Sequence, residues 1–561
     1  MKTTVKITAI FICLLLNTAL FATDSQAKSL LPTAGIATAH PLATAAGFEI
    51  IQAGGNAFDA AVAITATLAV VEPQSSGLGG GGFWLLHREA DQFQTMIDGR
   101  ETAPLAAHRD MYLDDNGDVI PGLSMDGPLA AAIPGIPAGI VYIAEKYGKL
   151  PLQKTLAPAI RAAENGFAVD NHYQRMSQFR LDAIQQSPAA ADVLLQNGDP
   201  PDVGYTVKQT DLAHTLKLLA AHGFDGFYKG EVAQKLVAEV RSAKGIWTLQ
   251  DLSSYHVVER SPIRGKYHNI QIISAPPPSS GGIALVSMLN ILSGYPLASM
   301  DNVKRTHFIV EAMRRAYRDR AIYLGDPDFV EVPSVKLLHE YYAAGLRAGI
   351  NPEQATPSSA LPGIETNPQG PHTTHFSVID KQGNRVAATL TINYPFGSGF
   401  MPQGTGVLLN DEMDDFSAKP GTPNAYGLVG TEANAITPGK RPLSSMSPTF
   451  MESERGVAVL GTPGGSRIIT MVLLAILDYV DGGTPLSMVS QPRYHHQYLP
   501  DVIQYEEGAF NGKEIKSLQA LGYKFEQMRP YGNMQTVVWE RQGNKVTAAS
   551  DPRGIGEAMV K

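Results

Sequence analysis

The chain reads as a layered α/β protein. Long helical apolar patterns fill its middle third, and alternating strand patterns take over after residue 375. Short strand candidates therefore lie between thick helical segments on both sides, the arrangement of sheets covered by helices. With 561 residues, 44% of them hydrophobic and 17% charged, the sequence is long enough for a large core or several domains. The net charge of −8 comes without a basic stripe, which excludes the usual nucleic-acid footprint. An anionic substrate would accordingly need local cations rather than steering by the whole surface.

The elements follow in order. Lys2 and Lys6 precede an apolar run at 7–21, and Ser25-Gln26-Ala27 supplies a small-x-small cleavage triplet. Residues 1–27 are thus expected to be a signal peptide, with Lys28 opening a mature chain that is periplasmic or secreted and free of the membrane. A run this short spans a bilayer poorly, although a permanent N-terminal anchor is the alternative. Cys13, the single cysteine, lies inside this segment. A mature chain without a thiol excludes disulfides, cysteine catalysis and thiolate metal sites.

Residues 41–52 have helical apolar spacing and stop at Gly54-Gly55; 57–71 is an almost wholly apolar helix ending before Pro73. The glycine run Gly77-Leu78-Gly79-Gly80-Gly81-Gly82 leads into a strand pair at 83–87 and 94–97 that ends near Arg100. Helices are predicted over 138–147, 152–165, 211–222, 230–243, 282–292 and 303–324, and no internal repeat is apparent. Strands at 376–380 and 385–392 flank Lys381-Gln382-Gly383-Asn384, a hairpin turn. Folding that hairpin returns Thr391 to the side of Thr373; the face Thr391 uses depends on the turn and stays open. A strand at 457–460 is followed by a glycine turn and an apolar helix at 468–480.

The segment with most chemical content is Pro371-His372-Thr373-Thr374-His375, between a Pro/Gly/Asn-rich loop and a strand start. In an intact chain these threonines are unremarkable. Cutting before Thr373 gives it a free α-amine, which near neutral pKa can act as base for its own hydroxyl. Gly77–Gly82 formally satisfies G-x-G-x-x-G, yet a helix precedes it and a strand follows, the reverse of a dinucleotide site. Close backbone packing explains those glycines instead. Gly461-Thr462-Pro463-Gly464-Gly465-Ser466-Arg467 lies between strand and helix but lacks the ending of a phosphate loop. Its amides can either stabilise an oxyanion or simply make a tight turn. His372 with His375, and His495 with His496, have no third ligand at metal spacing, and structural roles explain them better. No G-x-S-x-G elbow supports a serine triad.

Further segments complete the pattern: Asp98-Gly99-Arg100-Glu101-Thr102-Ala103-Pro104, Asn410-Asp411-Glu412-Met413-Asp414-Asp415-Phe416-Ser417, and Lys440-Arg441-Pro442-Leu443-Ser444-Ser445-Met446-Ser447-Pro448-Thr449. With the Thr373 and Gly461–Arg467 segments, in this order and spacing, they resemble the γ-glutamyltransferase (γ-glutamyltranspeptidase) family of N-terminal-nucleophile hydrolases from about residue 30 onward. The resemblance implies a four-layer αββα sandwich built jointly by a large subunit, 28–372, and a small subunit, 373–561, after self-cleavage. It implies that Thr373 is the nucleophile, that Thr391 orients it, and that the amides of Gly464 and Gly465 form the oxyanion hole. Arg100, Ser444 and Ser445 would hold the α-carboxylate of a γ-glutamyl group, and Asn393, Glu412 and Asp415 its α-ammonium. Tyr426, in Pro423-Asn424-Ala425-Tyr426-Gly427, matches the lid loop of lidded bacterial members. For individual residues other readings stand: a surface ion pair with Glu101 for Arg100, a solvated turn for Asp414 and Asp415, an exposed loop tyrosine for Tyr426.

The expected activity is γ-glutamyl transfer from glutathione or related amides to water, amino acids or peptides, through a γ-glutamyl ester of Thr373. No cofactor and no metal are implied. One alternative is a glutaryl-cephalosporin acylase of the same fold; glutaryl lacks the ammonium that would use Glu412 and Asp415. A second, of another class, is an uncleaved periplasmic binding protein.

Overall fold

Helix ends follow local chemistry closely. Asn56 caps the helix Ala57–Val71: its side chain accepts from the Phe58 and Asp59 amides, and Asp59 returns a contact to the Asn56 amide. Every residue of that helix is buried, as its unbroken apolar character requires. It stops at Glu72, because the residue before Pro73 is pushed out of helical geometry. The structure, a computed structural model, describes residues 30–361 and 373–561. The expected signal segment with Lys2, Lys6 and Cys13, and the loop leading to His372, lie outside the described residues. Leu31–Lys561 forms one compact unit.

Two sheets organise it. A seven-stranded sheet runs in the order Glu557–Val560, Gly35–Thr38, Thr374–Ile379, Arg385–Thr391, Gly81–Arg88, Phe93–Gly99, Val258–Arg260. A six-stranded sheet runs Lys545–Ser550, Gln535–Glu540, Gly456–Gly461, Thr449–Glu452, Ile270–Ser274, Ile263–Tyr267. All pairings in both are antiparallel.

Side-chain alternation fixes the layers. Trp84, Leu86, Val386, Ala388 and Leu390 turn to the core shared with helices Ala57–Val71 and Leu152–Asn165. Phe83, Leu85 and Ala387 turn the other way, to Phe450, Val459 and Val537 of the second sheet. Helices Gly281–Leu292 and Ile468–Val480 join the same second core. The result is the four-layer αββα sandwich, with strands buried on both faces. That double burial explains why many strands read as continuous apolar runs rather than alternating ones.

The predicted helices 41–52, 57–71, 152–165 and 468–480 are found with those bounds, and the other predicted helices to within two residues. The hairpin of Ile263–Tyr267 and Ile270–Ser274 inside the helical middle third, and the three C-terminal strands, were not expected from pattern. In the hairpin after Thr373, Asp380 accepts from the Gln382 and Asn384 amides, each at 2.9 Å. This ties the turn and sets the register Leu390↔Thr374.

Candidate active site

Thr373 immediately precedes the strand Thr374–Ile379, and the register carries Thr391, next after Leu390, to its side. Both threonines line one small cavity, which settles the face left open by the turn. The Thr373 hydroxyl accepts from the Gly464 amide at 3.1 Å. The Thr391 hydroxyl accepts from the Asn393 amide at 2.7 Å. Beneath them the glycine run packs against backbone: a Cβ at Gly80 would stand 2.0 Å from the Thr391 carbonyl oxygen. Only glycine lets the two chain segments approach this closely.

The turn holding the Gly464 amide lies between the strand Gly456–Gly461 and the helix Ile468–Val480. Gly464 has φ +143°, a conformation side chains resist, and a Cβ there would meet the Met471 methyl at 2.4 Å. Gly465 lines the cavity beside it.

The cavity also gathers Arg100, Asn393, Glu412, Asp415, Tyr426, Ser444 and Ser445, the full predicted head-group set. Arg100 is 0% exposed, so the surface ion pair with Glu101 is not its situation. Its guanidinium reaches Glu412 and Asp415 directly, with Glu101 at 3.5 Å and the Pro442 carbonyl at 3.1 Å. The residue predicted for a carboxylate thus faces the two predicted for an ammonium. Glu412–Asp415 is a short 3₁₀ turn; Glu412 and Asp414 are buried there and Asp415 nearly so, where a solvated turn was the alternative reading. Burial pushes the Asp415 carboxyl up, and Arg100 pulls it back. Asp414 is lifted by burial to about 6 and held by the Ser124 hydroxyl at 2.7 Å.

Asn393 has φ +71°, a left-handed conformation that asparagine tolerates. Its side-chain NH2 donates to the Asp411 carbonyl at 3.0 Å. That commitment leaves the amide oxygen as acceptor. Tyr426 is 6% exposed and donates to the Asn393 carbonyl at 2.7 Å, closing the cavity rather than standing in solvent. Its loop is tied down where Asn424 donates to Asp415 at 3.1 Å and the Ala425 amide to Asp414 at 2.8 Å.

Sequence reasoning missed two residues. Arg320, near the end of helix Asn302–Tyr323, lines the cavity and donates to Ser280 at 3.1 Å and to Ser445 at 3.4 Å. Burial brings it down to about 10. It lies among four arginines at 314–320, three of them buried, and nothing in that run marks which one reaches the cavity. Glu72, at the end of Ala57–Val71, accepts from the Thr374 hydroxyl at 2.6 Å. Burial raises it to about 7 against that bond. Its only sequence signal is its place before Pro73.

The histidines have structural occupations. His375 lies between the Thr389 and Ser377 hydroxyls at 2.9 and 3.2 Å, and burial lowers it to about 3. His495 contacts Thr470 and Gln497, and His496 contacts Asp501.

A threonine at the head of a central strand, an amide already on its hydroxyl, and a closed charged cavity in a four-layer αββα sandwich together define the N-terminal-nucleophile hydrolase class. The gamma-glutamyltranspeptidase family model matches residues 43–561, and the chain belongs to that family. It is 44% identical over 532 residues to a glutathione hydrolase proenzyme of a Pseudomonas strain, covering 92% of each chain. It is 42% identical over 528 residues to the glutathione hydrolase proenzyme of Escherichia coli, covering 93% of this chain and 90% of the relative. Among solved structures, a cephalosporin acylase from Bacillus halodurans superposes with a TM-score of 0.82 at 26% identity, over 95% of this chain and 96% of the other.

Proposed function

We propose that this chain is the precursor of a periplasmic or secreted enzyme that moves γ-glutamyl groups from glutathione and related amides to water or to amino-acid and peptide amines. The observation that carries the reading is Arg100 paired directly with Glu412 and Asp415 in the wall of the cavity that Thr373 also lines. A γ-glutamyl head group has one carboxylate and one ammonium. Entering between Arg100 and the two acids, it exchanges the pairing of Arg100 with Glu412 and Asp415 for a guanidinium–carboxylate pair at one end and an ammonium–carboxylate pair at the other. Ser444, Ser445 and Arg320 serve the carboxylate; the Asn393 amide oxygen serves the ammonium. A glutaryl group has only the carboxylate and would strand Glu412 and Asp415. This favours the γ-glutamyl reading over the acylase.

Processing comes first. The Thr373 hydroxyl adds to the carbonyl of His372, the C–N bond breaks and an ester forms, with the proton passing to the Thr373 nitrogen. Water then cleaves the ester, giving pieces 28–372 and 373–561. In turnover the freed amine accepts the hydroxyl proton as Thr373 attacks the γ-carbonyl, and passes it to the leaving amine. The Gly464 and Gly465 amides hold the oxyanion, and Thr391 keeps the nucleophile in place. Water or a second amine then takes the acyl group. Tyr426 closes the head-group cavity during these steps.

The test combines intact mass, N-terminal sequencing and activity on a γ-glutamyl anilide. The smaller piece should begin Thr-Thr-His-Phe-Ser, and Thr373→Ala should remain one uncut, inactive chain. An active preparation of uncut chain, or a different new N-terminus, overturns the proposal; an uncut chain without activity would restore the binding-protein reading.

A further inference from the structure

Behind Arg100, outside the cavity wall, lies a cluster of charged side chains that the proposed reaction does not use. It holds Asp98, Arg260, Asp326, Asp328 and Arg441, none of which lines the head-group cavity. Asp98 and Asp326 are wholly buried and Arg441 nearly so. One oxygen of Asp98 accepts from the Arg100 amide at 2.9 Å. The other accepts from the Arg260 Nε at 2.7 Å and lies 3.6 Å from the Arg441 Nε. Asp326 accepts from the Arg441 amide at 2.8 Å, and Asp328 accepts from both terminal nitrogens of Arg260, at 3.1 and 2.6 Å. The Arg441 guanidinium also donates to the His256 carbonyl at 2.8 Å.

This cluster ties together two strings that lie on either side of Thr373 in the sequence. Asp98-Gly99-Arg100 carries the cation assigned to the α-carboxylate, and Arg441-Pro442-Leu443-Ser444-Ser445 carries its hydroxyls. Pro442, next to Arg441, supplies the carbonyl that accepts from the Arg100 Nε at 3.1 Å. The Tyr255 hydroxyl donates to the Arg100 carbonyl at 2.8 Å. On the cavity side Arg100 is paired with Glu412 and Asp415, and those contacts must open when a head group enters. The contacts to Asp98, Pro442 and Tyr255 lie on the other side and can persist. They then govern where the guanidinium stands relative to Ser444 and Ser445. Buried ion pairs contribute little net stability, because desolvation offsets their attraction. Holding two distant segments in register is a use that fits this geometry.

We propose that the cluster around Asp98, Arg260 and Arg441 is a positioning device for the α-carboxylate subsite. It sets the spacing between Arg100 and the Ser444 and Ser445 hydroxyls, and so decides how well the carboxylate of a substrate is held. The inference rests on the γ-glutamyl reading of the head-group cavity. These residues do not touch substrate; they act through Arg100 and through the chain at Pro442. A guanidinium meets a carboxylate at two points only when the planes align, and a misplacement of about 1 Å can cost about 100-fold.

The test compares kcat/KM on a γ-glutamyl anilide with that on the 4-aminobutyryl anilide, the same substrate without its α-carboxylate. The processed parent should prefer the first by about 100-fold, as expected for losing a charge-assisted pair in a closed site. Arg441→Gln and Asp98→Asn should still cut themselves before Thr373, since that step involves no head group. Each should lower the preference by about tenfold, mainly through a higher KM on the γ-glutamyl anilide, with kcat within about threefold of the parent. A merely structural disturbance affects both anilides and cancels in the ratio. The Asp328 side chain is 45% exposed, so Asp328→Asn should fold even if the buried variants do not, and it should lower the preference by about threefold. A preference within twofold of the parent in every variant that folds overturns the inference and leaves the γ-glutamyl assignment intact. A parent enzyme without the preference would instead remove that assignment.

Discussion

At the scale of single residues, the decisive fact is that buried opposite charges meet in the wall of one cavity. Asp415 accepts from Arg100 and from Asn424, and its carboxyl is raised by burial. Asp415→Asn keeps the shape and removes a charge that only an ammonium-bearing substrate exploits. Its kcat/KM on a γ-glutamyl anilide should drop at least about tenfold, while activity on a glutaryl anilide holds or rises; equal losses on both would show that Asp415 supports the fold instead. Glu72 gives a second residue-scale prediction. Its carboxyl titrates at about 7 in the fold against 4.5 for the ordinary group. Below the lower value it is protonated whether the chain is folded or not. Between the two the unfolded chain has released a proton that the folded chain keeps, so stability falls as pH rises through this window. Above both the penalty is complete, about 3 kcal/mol. Glu72→Gln should therefore raise Tm at pH 8 by about 2–4 °C and leave it unchanged at pH 4; calorimetry showing the same shift at both pH values would contradict this.

At the scale of elements, the proposed catalytic site is formed where a hairpin and a turn meet. The hairpin register brings Thr391 beside Thr373, and the turn before helix Ile468–Val480 presents the Gly464 amide. Gly464→Ala places a methyl where φ is +143° and where Met471 already stands. The backbone must rotate, at a strain of about 1–3 kcal/mol, and the amide turns away from the developing oxyanion. Loss of one such donor lowers kcat about 100- to 1000-fold, with a smaller change in KM. Steady-state kinetics on the processed variant checks this, and a kcat within threefold of the parent would mean that the amide is not part of the oxyanion site.

At the scale of the whole molecule, the segments before and after Thr373 interleave in both sheets. Thr374–Ile379 lies between Gly35–Thr38 and Arg385–Thr391, and Thr449–Glu452 pairs with Ile270–Ser274. Neither piece could complete either sheet alone. A chain cut before Thr373 should therefore elute as one particle from gel filtration and separate into two polypeptides only in denaturant. Two native peaks would contradict the shared core. Among the described residues no helix is long and apolar enough to cross a membrane.

Much was legible in the sequence, and the boundary between what was and what was not is physical. The helix 57–71 carries its own start and stop chemistry, so local sequence settles its ends. Thr373, the glycine turn and the acidic segment stand out because their chemistry is concentrated in short strings. Arg320 and Glu72 do not, because a long helix brings one and a helix end the other to the site, and each looks ordinary among its sequence neighbours. The strands Gly35–Thr38 and Gln535–Glu540 were hidden for a related reason: burial on both faces erases the alternation that marks a strand. By itself the sequence determined the candidate nucleophile, the glycine turn and the residue types of the pocket. Only the tertiary structure decided that Arg100 faces Glu412 and Asp415 and that Tyr426 is a buried roof, because each depends on which distant segments the sheets bring into contact.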